Sequence, residues 1–98
     1  MLKRFRDALD ALYGDRIERV VLFGSRARGD AREDSDYDIA VFLEDLTDRW
    51  QEFDRLADMR LDFLKEGGVF IDAKPYPAGA YRWRTSLRSE IREDGIEL

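Results

Sequence analysis

The sequence contains no cysteine and no histidine among its 98 residues. The chain therefore has no thiolate or imidazole to bind a metal, no cysteine nucleophile and no histidine to serve as a general base. No apolar run approaches the roughly 20 residues that span a bilayer, and the N-terminus lacks the apolar core of a signal peptide. We expect a soluble, cytoplasmic protein whose chemistry depends on carboxylates.

Acidic residues outnumber basic ones, and the formal net charge is −5. Because the electrostatic field of a negatively charged protein repels phosphate backbones, we expect no direct nucleic-acid partner without a local basic patch. The composition is 44% hydrophobic and 12% aromatic, which supplies enough apolar surface to drive folding although 40% of the residues are charged. A chain of this length buries one modest core, which predicts a single domain over residues 1–98.

Apolar residues at spacings of three and four predict helices. The first is expected to end near Gly14, and its apolar face carries Leu2, Phe5, Leu9 and Leu12. The longest is expected to begin at a cap on Thr47 or Asp48, to end at Gly67-Gly68, and to bury a face formed by Trp50, Phe53, Ala57, Leu61 and Leu64. A last short helix is expected to carry Ser86 as its cap, Leu87 and Ile91.

Runs of β-forming residues predict three strands, over 20–23, 37–43 and 69–74. We expect the third to end before Pro75 and Pro77, because proline cannot donate to a ladder. A helix between the second and third strands predicts a βαβ unit. Residues 25–35, which lack apolar periodicity, are expected to form a functional loop. The fold class is therefore α/β (α+β), with helices packed on a short mixed sheet.

Three aspartates are candidates for a metal site. Asp36 and Asp38 are two residues apart at the entrance of a predicted strand, so both carboxylates should project from one face. Mg²⁺ suits such oxygen ligands and would relieve their repulsion. Asp72 would join them if the third strand packs beside the second. Alternatively, Asp72 lies on an edge strand and pairs with a cation such as Lys74.

A phosphate site is predicted where Gly24 and Ser25 follow the first strand. Glycine permits close backbone approach, and N–H groups at the start of a helical turn face an anion. Arg26 and Arg28 offer guanidinium groups that match phosphate geometry. Alternatively, these two arginines form salt bridges to nearby acids, namely Asp30, Glu33 or Asp34.

Gly24-Ser25, ten intervening residues and then Asp36-Tyr37-Asp38 form a G-S-x(10)-D-x-D pattern. This pattern resembles the signature of the DNA-polymerase-β-like nucleotidyltransferase superfamily. The stretch GSRARGDAREDSDYDIAVFL and the small size resemble the minimal nucleotidyltransferases, which are the antitoxin halves of HEPN/MNT toxin–antitoxin pairs. A D-x-D alone is most often a solvated turn, whereas the complete pattern between two strands rarely arises by accident.

The resemblance implies transfer of a nucleotidyl group, usually AMP from ATP, to a tyrosine hydroxyl of a partner HEPN toxin. It also implies that Gly24 and Ser25 bind the triphosphate, while Asp36, Asp38 and Asp72 hold two Mg²⁺ ions. Two alternatives stay open. The chain neutralises its partner by binding alone, with a vestigial nucleotide pocket, or it transfers the nucleotidyl group to a small molecule or RNA, for which larger relatives use extra domains.

Overall fold

The computed structural model describes residues 1–82 and 89–98. Four helices and four strands alternate along these ranges, together with 3-10 turns at Gly14–Arg16 and Ala80–Arg82. In chain order the elements are α1 (Leu2–Tyr13), β1 (Ile17–Phe23), α2 (Ser25–Arg28), β2 (Tyr37–Leu43), α3 (Arg49–Gly67), β3 (Ile71–Pro77), α4 (Ser89–Glu93) and β4 (Ile96–Glu97). Within the described ranges, no helix is both long enough and apolar enough to cross a membrane.

The strands form one mixed sheet in the order β3-β2-β1-β4. The β1 strand pairs antiparallel with β2 and with β4, whereas β2 and β3 are parallel and are joined by α3. The parallel pair with its connecting helix confirms the predicted βαβ unit, and the mixed sheet with packed helices confirms the predicted fold class.

Apolar side chains are buried on both faces of the sheet. On one face, α1 and α3 pack against the sheet, and the rings of Phe5 and Phe63 meet edge to face at 5.2 Å between centroids. The residues of this cluster that come from β1 and β2 are Val20, Leu22, Ile39, Val41 and Leu43. On the other face, Val21, Phe23, Ala40 and Phe42 pack against Ala80 and Ile91. The two sets alternate along each strand, as a two-residue period requires.

The predicted buried face of α3 was wrong. The helix turns Glu52, Leu56 and Phe63 inward. The predicted set is instead partly or fully exposed, with Trp50 at 79% and Leu61 at 47%. The inward face is chosen by tertiary partners, since Phe63 meets Phe5 and the Glu52 carboxylate pairs with Arg16.

The third strand also differs from its prediction, because it begins at Ile71 and includes both prolines. It lies at the edge of the sheet, and the N–H of Ala78 donates to the carbonyl of Leu43 (2.8 Å). Alternate residues of an edge strand donate to the neighbour, so Pro75 and Pro77 fall in the outward set that needs no donor.

Two further strands differ from their predictions. The β1 strand begins three residues earlier than expected, at Ile17. The last residues, for which no element was expected, form β4, and Leu98 donates its N–H to the carbonyl of Val20 (2.9 Å). The predicted cap Ser86 and Leu87 lie outside the described residues, while Ile91 is fully buried in α4.

Candidate active site

The candidate residues lie together at one end of the sheet, where β1 ends and where β2 and β3 begin. Phe23, the last residue of β1, is paired with Asp38 near the start of β2. Asp38 is in turn the register partner of Asp72 in β3. Because paired residues of neighbouring strands project from the same face, Asp38 and Asp72 lie side by side, with Gly24 and Ser25 directly beyond Phe23.

Gly24 is in contact with Asp38. Its φ of 75° and ψ of −155° belong to a region that only glycine occupies readily. A Cβ built on Gly24 would lie 2.5 Å from Oδ2 of Asp38, closer than side-chain atoms can approach. The glycine therefore lets the carboxylate of one strand rest against the turn that follows another.

The residues after Gly24 form the short helix α2. The carbonyl of Gly24 accepts the N–H groups of Ala27 (3.1 Å) and Arg28 (3.0 Å), and Gly29 ends the helix in the left-handed region. The first N–H groups of a helix have no acceptor within it and carry partial positive charge. Ser25, which is partly exposed, adds a hydroxyl at the same place. This turn can therefore bind an anionic oxygen next to Asp38.

Asp72 has the cationic partner that was expected as the alternative to a metal-binding role. It lies beside Asp38, yet it is on the edge strand, and its carboxylate is 3.7 Å from Nζ of Lys74 and 3.9 Å from a guanidinium nitrogen of Arg60. Arg60 also donates to the carbonyl of Ile71, which ties α3 to the start of β3. Sequence spacing gave no indication of Arg60, because the register between α3 and β3 decides which of the helix's charges reaches the acid.

Asp36 precedes β2, so strand alternation does not fix its direction. It is exposed and lines a cavity of about 280 Å³ between α3 and the segment before β3, together with Ala57, Arg60, Leu61, Leu64, Val69, Phe70 and Ile71. Within residues 1–82 and 89–98, no three acidic side chains lie close enough to hold a metal ion together. The structure thus places Asp38 beside Asp72, and it places Asp36 at the same end of the sheet, just before β2 begins.

Arg26 and Arg28 have different surroundings. The guanidinium of Arg26 donates to the carbonyls of Ser35 (3.0 and 3.2 Å) and Glu33 (3.0 Å) and lies over the ring of Tyr37 at 4.4 Å. It therefore holds the loop before β2 against α2. Arg28 is exposed and pairs with Asp30 at 3.3 Å, which is one of the salt bridges expected as an alternative.

The family model described as "Nucleotidyltransferase domain" matches residues 2–96. Two proteins of Methanocaldococcus jannaschii, each named a putative protein adenylyltransferase, are similar to this chain. One is 40% identical over 72 residues, which are 74% of this chain and 66% of the relative. The other is 37% identical over 98 residues, which cover all of this chain and 95% of the relative.

A toxin–antitoxin structure with AMP-PNP has the same fold. It aligns with a TM-score of 0.59 and 23% identity over 99% of this chain and 72% of the solved chain. With the family model matching almost the whole sequence, this chain belongs to the nucleotidyltransferase domain family. The nucleotidyltransferase class predicted from the G-S-x(10)-D-x-D pattern is confirmed.

Proposed function

We propose that this chain is an antitoxin that transfers AMP from ATP to a tyrosine hydroxyl of a partner HEPN toxin and thereby neutralises it. The observation that carries the proposal is the contact between Gly24 and Asp38, which joins a turn suited to bind phosphate to a carboxylate beside Asp72. The names of the two archaeal relatives support adenylyl transfer to protein, and the toxin–antitoxin neighbour with AMP-PNP supports the antitoxin role.

The carboxylates suit Mg²⁺, which prefers oxygen ligands and keeps part of its shell for water and phosphate. Asp38 and Asp72 would hold it from neighbouring strands. Asp36 lies apart from them in this structure, and its exposed side chain would have to turn toward the ion to join them. Bound there, Mg²⁺ would neutralise charge on the triphosphate. Arg60 and Lys74, whose cationic groups lie 3.9 and 3.7 Å from the Asp72 carboxylate, would hold that carboxylate in place.

The protein groups contribute chiefly by positioning the reactants. The N–H groups at the start of α2 and the Ser25 hydroxyl would donate to phosphate oxygens, with Arg28 near the solvent side. Arg26 is proposed to act through the loop that it holds, and its guanidinium can also meet the triphosphate. The acceptor oxygen then attacks the α-phosphorus, the bond to the bridging oxygen breaks, pyrophosphate leaves, and one of the three aspartates accepts the hydroxyl proton.

Label transfer tests the proposal against neutralisation by binding alone. The chain is incubated with ATP labelled at the α-phosphate, Mg²⁺ and the purified product of the gene adjacent to its own. We expect label on a tyrosine of that protein, and loss of label when Asp36→Asn and Asp38→Asn are combined, since amides keep the shape but lose the charge that binds the cation. Neutralisation that survives the double substitution, with no label in the wild type, would contradict the transfer. Label on RNA or on a small molecule instead would identify a different acceptor.

A further inference from the structure

The outward face of α3 carries an apolar surface that the fold leaves uncovered among the described residues. We call it the outer stripe, formed by Trp50, Phe53, Ala57, Leu61 and Leu64. Scattered exposed apolar residues are ordinary, but these five recur at spacings of three and four, which aligns them on one helix face over about 21 Å. The rings of Trp50 and Phe53 also contact each other at 5.9 Å between centroids.

The outer stripe ends at the cavity lined by Asp36, one of the candidate metal ligands. Leu61 and Leu64 at its C-terminal end line the cavity that Asp36 also lines. Phe70, which is 55% exposed, forms another wall of that cavity. An acceptor hydroxyl must reach this end of the sheet, so a protein acceptor must rest on a surface that begins here. The stripe is such a surface, because it leads to the cavity that Asp36 lines at this end of the sheet.

A row of acids borders the stripe along one side. Asp54, Asp58 and Asp62 are four residues apart and therefore follow one line along α3. Asp54 is four residues after Trp50, and Asp58 is three before Leu61, so the row adjoins the stripe. All three are exposed, and none forms an ion pair with another described residue. A surface of this kind complements an apolar ridge with a basic margin.

We propose that the outer stripe is the docking surface for the acceptor protein, which presents an apolar helix bordered by lysine or arginine. The inference rests on the proposed function, because it takes the protein acceptor of that reaction as the occupant. It adds the location of the contact, the chemistry of the partner's surface and the route by which the acceptor side chain reaches Asp36. A second copy of this chain is the competing occupant.

Truncation variants test the contact directly. The purified product of the adjacent gene is immobilised, and binding of the wild-type chain is compared with Trp50→Ala and Leu61→Ala. We expect each to weaken binding by about tenfold or more, because buried aromatic and aliphatic anchors dominate such interfaces. The matched control is Leu12→Ala on α1, which removes a side chain of similar exposure (40%) on the far side of the acidic row. We expect its affinity to equal that of the wild type.

Charge reversal tests whether the partner's docking helix is bordered by lysine or arginine. Combining Asp54→Lys with Asp58→Lys should slow association and remove most of its dependence on ionic strength, because steering acts mainly on the association rate. Unfolding temperatures of all variants should match the wild type, since every substituted side chain is exposed. The proposal would be overturned if the wild-type chain failed to bind the partner or if the stripe variants bound it normally. It would also be overturned if Leu12→Ala lost as much affinity as the stripe variants. A wild-type dimer, by light scattering, that Leu61→Ala converts to monomer would overturn it as well.

Nucleotide measurements separate this inference from the function on which it rests. Mg²⁺-dependent uptake of AMP-PNP by the isolated chain should be unchanged in Trp50→Ala, which lies away from the cavity. Normal label transfer by the stripe variants would overturn the docking surface and leave the transfer standing. Loss of partner binding in those variants, with no label transferred by the wild type, would support the docking surface and contradict the transfer.

Discussion

Gly24 and Asp38 constrain each other at the scale of single residues. The glycine belongs to a turn and the aspartate to the neighbouring strand, yet a Cβ on one would collide with the carboxylate of the other. This contact gives a structural reason for the glycine in the G-S pattern. It also fixes the place of the Asp38 carboxylate relative to the turn proposed to bind phosphate, which a spacing of fourteen residues in sequence cannot do by itself.

Gly24→Ala should therefore impair nucleotide binding as well as stability. The methyl group would both strain the backbone and displace the Asp38 carboxylate, at a combined cost of about 2–4 kcal/mol in the free energy of unfolding. The matched control is Gly29→Ala, where φ is 85° and nothing lies within 4 Å of an added Cβ. That variant should lose only about 1–2 kcal/mol and keep its affinity for Mg²⁺ and AMP-PNP. Calorimetric titration and denaturant unfolding of both variants would measure this difference, and equal affinities would contradict it.

The motif residues were predictable from sequence because their chemistry and spacing are local. Gly24, Ser25, Asp36 and Asp38 all lie within fifteen residues, and Asp72 could be added once its strand was expected beside β2. What sequence did not show was the contact of Asp72 with Arg60. That contact depends on the rotation of α3, which is settled by side chains far along the chain.

At the scale of elements, α1 and α3 are joined by a buried polar cluster. Glu52 is 3% exposed, and its carboxylate pairs with Arg16 (3.0 Å) and Arg55 (3.3 Å). Tyr13, the last residue of α1, is 5% exposed and has the guanidinium of Arg16 over its ring at 5.6 Å. Burial, reinforced by the charge of Glu52, raises the pKa of Tyr13 from 10.0 to about 12.

This raised pKa predicts a loss of stability in alkali. Below pH 10 Tyr13 is neutral in both the folded and the unfolded chain, so its contribution is fully present. Between about pH 10 and 12 only the unfolded chain releases the proton, and the free energy of unfolding should fall by about 2 kcal/mol. Tyr13→Phe should lack this part of the decline, while the other titrating groups remain common to both proteins. Urea unfolding from pH 8 to 12 measures the difference, and parallel curves would contradict the assignment.

The same cluster explains why the face of α3 was mispredicted. By pattern alone, the outer stripe is a better apolar face than the inward set, which includes Glu52. The inward face wins because the Glu52 carboxylate meets Arg16 and Arg55 and because Phe63 meets Phe5. None of these partners is visible in the periodicity of the helix. The prolines of β3 illustrate the same point, since the edge position that tolerates them is a property of the whole sheet.

For the whole molecule, the proposed nucleotide site and the proposed docking surface lie in different places. The turn after β1 and the acids of β2 and β3 lie at one end of the sheet, where a nucleotide and Mg²⁺ would bind. The outward face of α3 leads away from that end and offers an apolar surface with an acidic margin, where an acceptor protein would rest. The βαβ unit and the α/β fold class predicted from sequence are confirmed at this scale, while the proposed docking surface emerges only from the orientation of α3.

Calorimetric titration of the isolated chain with AMP-PNP tests the central claim most directly. We expect saturable binding in the presence of Mg²⁺, no measurable binding with EDTA, and affinity reduced about tenfold or more in Asp38→Asn, because an amide cannot neutralise the cation. The unfolding temperature of that variant should stay close to that of the wild type. Binding of equal strength with and without Mg²⁺, or an Asp38→Asn variant that binds as the wild type does, would contradict a carboxylate-held metal at the Gly24–Asp38 contact.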